Sequence, residues 1–263
     1  MRIIPASKLK KHIPNLLTCL NLFCGCIAVV LVFRNHLQWA AYLVFAAAFF
    51  DLLDGMIARM LRVTSAIGKE LDSLADMISF GFVPGAILFK MMQLNVDSIS
   101  SNQNLNTFIQ FLPFIVTIFS ALRLAKFNID TRQTDSFIGL PTPANTLLIV
   151  SFPLILMHDS FNLSGILLNP WFILGITVLQ SFLLVSELPL IALKFKNFSW
   201  KENSYQYLLV IAAGLLLLLL KFTAIPIIIF LYVFLSLIKN SRKESGIKSQ
   251  EPRARSRESG VKS

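Results

Sequence analysis

Four aspartates in the first third of the chain have the type and spacing that metal-dependent chemistry requires. Asp51 and Asp54 are three residues apart, and Asp72 and Asp76 are four apart, so on helices each pair shares one face. Both pairs lie in or beside apolar segments, where insertion scales give a cost of ~2.5–3.5 kcal/mol for a charged side chain. Bound cations would compensate for this cost, and an all-oxygen set of ligands suits hard ions such as Mg²⁺ or Mn²⁺.

The composition is typical of an all-α integral membrane protein. The chain has 263 residues, of which 55% are hydrophobic and 14% charged, and its mean hydropathy is +0.69. We predict one membrane-embedded catalytic domain, residues 1–238, followed by a basic, disordered cytosolic tail, residues 239–263. The net charge of +10 indicates flanks at an anionic inner leaflet and not nucleic-acid binding.

The apolar pattern predicts about eight transmembrane helices, preceded by an N-terminal interfacial segment at residues 8–12. The sixth predicted span includes Glu187, for which we expect a hydrogen bond to another helix. The predicted spans are residues 16–33, 39–59, 67–91, 107–125, 144–157, 171–193, 205–220 and 222–238, with a tight turn between the last two.

Charge then predicts the orientation. With eight spans, 21 of the 24 Lys and Arg residues fall on one side of the membrane, and only Arg34, Lys90 and Lys221 fall on the other. The positive-inside rule places the richer side in the cytosol. We therefore expect the inner (cell) membrane as the location, with both termini and the aspartate site facing the cytosol.

Small and polar residues surround the four aspartates in the pattern. Helical periodicity places Gly55 and Ala58 near the face of Asp51, where they would let a bulky ligand approach the backbone. Asn15, Thr18 and Asn21 form a polar stripe on the first span. This stripe fits either hydrogen bonds between helices or part of a polar ligand pocket, and both alternatives stay open.

The spacing of eight residues over 26 positions resembles the signature of the CDP-alcohol phosphatidyltransferase family. That resemblance implies a helical membrane enzyme, commonly a homodimer, which uses two divalent cations to displace CMP from a CDP-linked lipid or alcohol. The matching residues read Asp51-x2-Asp54-Gly55-x2-Ala58-Arg59-x8-Gly68-x3-Asp72-x3-Asp76.

The resemblance also implies roles for individual residues. The first three aspartates are expected chiefly as metal ligands, whereas Asp76 is expected to touch a metal and to act as the catalytic base for the acceptor hydroxyl. For Arg59, a contact with the diphosphate is favoured over a position at the membrane interface. The residues expected to bind the nucleotide or diphosphate are Asn15, Thr18, Gly55, Ala58, Arg59 and Gly68.

Three secondary motifs, within residues 14–21, 121–128 and 139–144, are similar to family members that use L-serine as acceptor. They favour transfer from CDP-diacylglycerol to serine. Arg123 would then contact the serine carboxylate, although a role as a membrane-interface anchor fits equally well. One alternative is the same chemistry with glycerol 3-phosphate or inositol phosphate. A different class is a cation transporter, although its acids would be spread across the bilayer.

Overall fold

The computed structural model describes residues 6–63, 65–129, 137–159, 161–191 and 203–240, and these residues are predominantly helical. The helices are α1 (Ala6–Phe33), α2 (Leu37–Leu61), α3 (Ala66–Asp76), α4 (Val83–Gln93), α5 (Gln103–Ile109), α6 (Ile115–Ile129), α7 (Thr142–His158), α8 (Ser164–Leu167), α9 (Pro170–Val185), α10 (Ser204–Leu220) and α11 (residues 224–240).

The prediction of an all-α membrane fold is confirmed. Five helical segments are long and apolar enough to cross a membrane, and α7 and α9 are shorter apolar helices. The longest of the five, Ser204–Asn240, contains a 3₁₀ turn at Lys221–Thr223. The number of eight spans therefore stays a prediction. The five segments are His12–Phe33, Leu37–Leu61, Ala66–Gln93, Gln103–Ile129 and Ser204–Asn240.

The chain divides into two compact units, and the first, Met1–Thr131 with Leu140–Ser186, contains α1 to α9. Within it, α1 packs against α2, α3 and α4. The interior is built largely by α4 and α7, on which side chains such as Leu88 and Leu148 are fully buried. Large apolar side chains including Phe23 and Phe182 are exposed, as expected for helices that face lipid.

The connection between α2 and α3 is short, and a capping residue ends one helix and begins the next. Arg62 adopts a left-handed conformation, with φ 50°, and its N–H bonds back to Arg59 O at 3.2 Å. Ser65 then caps α3, accepting a hydrogen bond from Gly68 N at 3.3 Å. Because the connection is short, α3 runs back alongside α2, and the aspartates of the two helices can face each other.

A π-helical segment, Met77–Phe82, joins α3 to α4 directly after Asp76. Its carbonyls are held by neighbouring helices: Thr117 Oγ1 on α6 donates to Gly81 O at 3.0 Å, and Thr146 Oγ1 on α7 donates to Phe80 O at 2.7 Å. Short π-helical segments inside α-helices are frequent at functional sites. This one fixes the helix that carries Asp72 and Asp76 against α6 and α7.

The prediction that the sixth span continues to residue 193 is wrong. Helix α9 ends at Val185, and Ser186 is extended, with φ −61° and ψ 145°. A proline at 189 disfavours helical backbone at the residue before it. Glu187 consequently lies outside the helix and is exposed, so the expected hydrogen bond inside the membrane does not apply to it.

The second unit, Arg132–Gly139 with Glu187–Ser263, contains a hairpin of α10 and α11. Leu209 on α10 and Leu235 on α11 pack together with Ile191, so the two helices run antiparallel around the turn at Lys221. Two-residue strands, β1 (Phe137–Ile138) and β2 (Pro189–Leu190), pair antiparallel in the same unit.

Parts of the sequence-based prediction fall outside the described residues. These include Arg132, the basic residues of 192–202, and the tail from residue 241 onward. The division into a membrane domain and a tail stays a prediction. The predicted interfacial residues 8–12 are the first turns of α1, which is continuous through Pro14.

Candidate metal and nucleotide site

The acids of α2 occupy one face near its C-terminal end. Asp54 is 7% exposed and Asp51 is half-buried. Gly55 and Ala58 follow at the next positions of the same helix, as the helical period requires. The face therefore combines two carboxylates with two side chains small enough to leave space beside them.

The acids of α3 meet those of α2. One carboxylate oxygen from each of Asp51, Asp72 and Asp76 lies within 4.8 Å of the other two. Two oxygens bound to a single Mg²⁺ at about 2.1 Å are at most about 4.2 Å apart. Small side-chain adjustments would thus bring these oxygens onto one ion, and the donor set, which is all carboxylate, fits a hard divalent cation.

Asp54 is held separately, by α1. The hydroxyl of Thr18 lies 2.5 Å from Asp54 Oδ2 and 3.1 Å from Pro14 O. Its single proton can serve one acceptor at a time, and the short distance indicates the carboxylate. Thr18 is 3% exposed, so this contact orients the aspartate from inside the helix bundle.

Asp76, on α3, also has a hydrogen-bond partner on α1. The amide nitrogen of Asn21 donates to Asp76 Oδ1 at 3.2 Å. Asn21 is fully buried, and its backbone carbonyl accepts a hydrogen bond from Ser79 Oγ at 3.1 Å. The polar stripe on α1 therefore contacts two of the four aspartates, Thr18 touching Asp54 and Asn21 touching Asp76.

A pocket of about 510 Å³ opens beside the aspartates. Its walls come from α1, the end of α2, the connection and the start of α3. Asp54 and Asp72 both line it, so Asp72 belongs to the cluster of three acids and to the pocket. The complete lining is Pro14, Asn15, Thr18, Asp54, Gly55, Ala58, Val63, Ser65, Ala66, Gly68, Lys69 and Asp72.

Five of the six residues predicted to bind the nucleotide or diphosphate line this pocket. The sixth, Arg59, is exposed and does not line it, because its Nε donates to Gly55 O at 2.9 Å, which holds the side chain along α2. Its contact with a diphosphate stays a prediction. The five that line the pocket are Asn15, Thr18, Gly55, Ala58 and Gly68.

Lys69 and Ser65 also line the pocket, although neither was predicted to do so. In the sequence analysis, Lys69 was only one of the 21 basic residues that indicate the cytosolic side. It donates from Nζ to Asn128 O at 3.2 Å, and the Asn128 amide donates to Ser73 Oγ at 2.9 Å. A signal was present in the sequence, since Lys69 precedes Asp72 and Asp76 by three and seven residues on one helical face.

Arg123 lies on the buried face of α6 and is 7% exposed. Asn128 of this helix contacts Ser73, whereas Thr117 contacts Gly81. This antiparallel register places Arg123 level with Asp76, about halfway between those two contacts. An arginine that served only as an interface anchor would be exposed, so its burial favours a role inside the bundle.

Similarity to known proteins extends over most of the chain. A model of the CDP-alcohol phosphatidyltransferase family matches residues 11–185. A protein of Helicobacter pylori strain J99 named CDP-diacylglycerol–serine O-phosphatidyltransferase is 31% identical over 229 residues, which cover 86% of this chain and 90% of that protein.

Two further relatives bear the same name. The protein of Bacillus subtilis strain 168 is 31% identical over 170 residues, covering 60% of this chain and 87% of its own length. That of Methanocaldococcus jannaschii is 36% identical over 140 residues, covering 53% of this chain and 59% of its own length.

Proposed function

The chain belongs to the CDP-alcohol phosphatidyltransferase family, and on that premise we propose that it transfers the phosphatidyl group of CDP-diacylglycerol to L-serine, giving phosphatidylserine and CMP. The observation that carries the proposal is the convergence of Asp51, Asp72 and Asp76 beside an open pocket. The names of the relatives support serine as the acceptor.

The pocket is the proposed site of the CDP group. Gly55, Ala58 and Gly68 leave its walls free of bulky side chains, and Lys69 provides a cation within the lining. Asn15 and Thr18 add polar groups from α1. A nucleotide bound there would direct its diphosphate towards Asp54 and Asp72, the two acids of the lining.

Asp51, Asp54, Asp72 and Asp76 are the residues that would hold two divalent cations, either Mg²⁺ or Mn²⁺. When bound, such ions neutralise the diphosphate and stabilise the negative charge that develops on departing CMP. The chain's own contribution is to orient the carboxylates: Thr18 fixes Asp54 from one side, and Asn21 fixes Asp76 from another.

Asp76 is the proposed base. The serine hydroxyl oxygen attacks the phosphorus that carries diacylglycerol, a new P–O bond forms, and the bond from that phosphorus to CMP breaks with its electron pair leaving on CMP. A carboxylate is a far weaker base than an alkoxide, so it accepts the hydroxyl proton as the P–O bond forms and not beforehand.

Arg123 is the proposed partner of the serine carboxylate. Its depth matches that of Asp76, and a buried guanidinium can bind a carboxylate through two parallel hydrogen bonds. The guanidinium carbon also lies 6.0 Å from the centre of the Phe127 ring, a contact that restricts its side chain. A serine held at this level would present its hydroxyl to Asp76.

The setting of the enzyme is also part of the proposal. We place it in the inner (cell) membrane with both termini and the site facing the cytosol, because 21 of the 24 basic residues fall on that side of the predicted topology. A homodimer is the assembly that family membership favours, and chemical cross-linking in native membranes tests it.

An acceptor panel tests the proposed function. Purified protein receives CDP-diacylglycerol and Mn²⁺ together with L-serine, glycerol 3-phosphate or inositol phosphate, and both CMP release and the lipid product are measured. We expect serine-dependent CMP release and phosphatidylserine. Release with glycerol 3-phosphate and none with serine would assign a different acceptor.

A further inference from the structure

Asn21 makes a contact that packing alone does not require. Its amide nitrogen donates to Asp76 Oδ1 at 3.2 Å, and within the described part of the chain it is the protein group that hydrogen-bonds this carboxylate. One oxygen of Asp76 is thus engaged, and the second is left for an ion or for the proton of an incoming hydroxyl.

The backbone of Asn21 is anchored at the same place. Its carbonyl accepts from the hydroxyl of Ser79, three residues beyond Asp76 and inside the π-helical segment. One turn further along α1, Gly25 leaves no room for a Cβ atom, which would overlap the Ser79 hydroxyl. Helix α1 therefore holds the chain at Asp76 and immediately after it, so the amide cannot drift relative to the carboxylate.

The acceptor half of the Asn21 side-chain amide makes no hydrogen bond within the described part of the chain. Polar side chains that join membrane helices gain from engaging both their donor and their acceptor. Asn21 is fully buried, yet its Oδ1 has no hydrogen-bond partner among the described residues. Burial of an unpaired oxygen is destabilising. Asparagine at this position is therefore better explained by its donor, which faces Asp76.

We infer that Asn21 is a positioning residue, whose amide holds the Asp76 carboxylate in the orientation that accepts the proton of the acceptor hydroxyl. This inference rests on the proposed function, in which Asp76 is the base. It adds a group on α1 that acts through Asp76 and touches neither the nucleotide nor the acceptor.

The matched control, Asn106, lies on α5. Asn106 is 4% exposed, and its amide nitrogen donates to Asp97 Oδ1 at 3.2 Å, the same length as the Asn21–Asp76 contact, and also to Ser100 O at 2.8 Å. Its Oδ1, like that of Asn21, has no hydrogen-bond partner among the described residues. Asn21→Ala and Asn106→Ala each remove one buried asparagine and one hydrogen bond to an aspartate. Only the first removes a contact with a proposed catalytic residue.

The experiment compares kcat at saturating Mn²⁺, KM for CDP-diacylglycerol, and Tm. For Asn21→Ala we expect kcat to fall roughly 10- to 100-fold, the size expected for a hydrogen bond to a charged group. KM and Tm should match those of Asn106→Ala. Should Asn21→Ala fail to fold, Asn21→Ser leaves a smaller cavity and its hydroxyl is too short to replace the amide.

A double mutant separates positioning from packing. In an Asp76→Asn background, Asn21→Ala should leave the residual turnover unchanged, because the carboxylate it positions is absent. Unchanged kcat in the single variant, or a loss of kcat accompanied by an equal loss of Tm relative to Asn106→Ala, would overturn the inference. Each variant's kcat is compared with the wild-type kcat, using the acceptor that the wild type prefers. If serine is not that acceptor, the wild-type acceptor panel shows it, independently of the role of Asn21.

Discussion

The hydroxyl oxygen of Thr18 on α1 lies 2.5 Å from Asp54 Oδ2 on α2. The family signature contains Asp54 but not Thr18, which comes 36 residues earlier in the chain. Because Thr18 also lines the pocket, one hydroxyl connects a proposed metal ligand to the proposed nucleotide site. The first helix is thus part of the site and not only an anchor in the membrane.

Replacement of Thr18 by valine tests this connection. Valine keeps the branched shape but cannot donate, so Asp54 loses its contact with α1. A hydrogen bond to a charged group is worth about 1.5–3 kcal/mol, and we expect kcat/KM for CDP-diacylglycerol to fall roughly 10- to 100-fold. Thr18→Ser, which keeps the hydroxyl, is the control. Equal kinetics for the valine and serine variants would show that the contact is dispensable.

Asp76→Asn tests the proposed base. The substitution keeps the size of the side chain and removes its ability to accept a proton, so CDP-diacylglycerol binding should persist while turnover is lost. Binding is measured directly with the purified variant, and turnover by CMP release. Full activity of Asp76→Asn would remove the role assigned to this residue.

Asp72 is expected to be the most sensitive of the proposed metal ligands, because it belongs to the three-acid cluster and also lines the pocket. Chelation of divalent cations should abolish wild-type activity, and Mn²⁺ should restore it. In Asp72→Asn the Mn²⁺ concentration for half-maximal activity should rise by at least about tenfold, the loss typical of a disturbed metal site. A wild-type Mn²⁺ dependence in this variant would argue against metal binding at Asp72.

Gly68 provides a test of the pocket wall. A Cβ atom at this position would lie 2.9 Å from Asn15 Oδ1, so Gly68→Ala must displace the Asn15 side chain. We expect a higher KM for CDP-diacylglycerol with little change in Tm. Gly175→Ala is the control, because a Cβ there meets nothing within 4 Å. In an Asn15→Ala background, Gly68→Ala should have no further effect on KM; an additive effect would mean that the clash acts elsewhere.

Much of the site could be predicted because its spacing follows the helical period. Three- and four-residue separations place each pair of acids on one face wherever α2 and α3 lie, and the short connection then turns the two faces together. The same reasoning identified Gly55 and Ala58 as lining residues. These predictions depend only on local geometry, which the sequence specifies directly.

Features that depend on contacts between helices could not be predicted in this way. The conformation of Arg59 is set by a carbonyl of its own helix, and the place of Lys69 by the end of α6. The π-helical segment after Asp76 has no periodic signal, because it is stabilised by hydroxyls from α6 and α7. The early end of α9 was indicated by Pro189, whereas the prediction followed hydropathy alone.

The account depends on one claim, that carboxylates from α2 and α3 together bind the divalent cations that face the substrate diphosphate. The most direct measurement is an experimental structure of the protein with CDP-diacylglycerol and Mn²⁺, with the ions located by anomalous scattering. We predict Mn²⁺ signals within coordination distance of Asp51, Asp54, Asp72 and Asp76, next to the diphosphate. Signals at other residues, with these four carboxylates left without an ion, would contradict it.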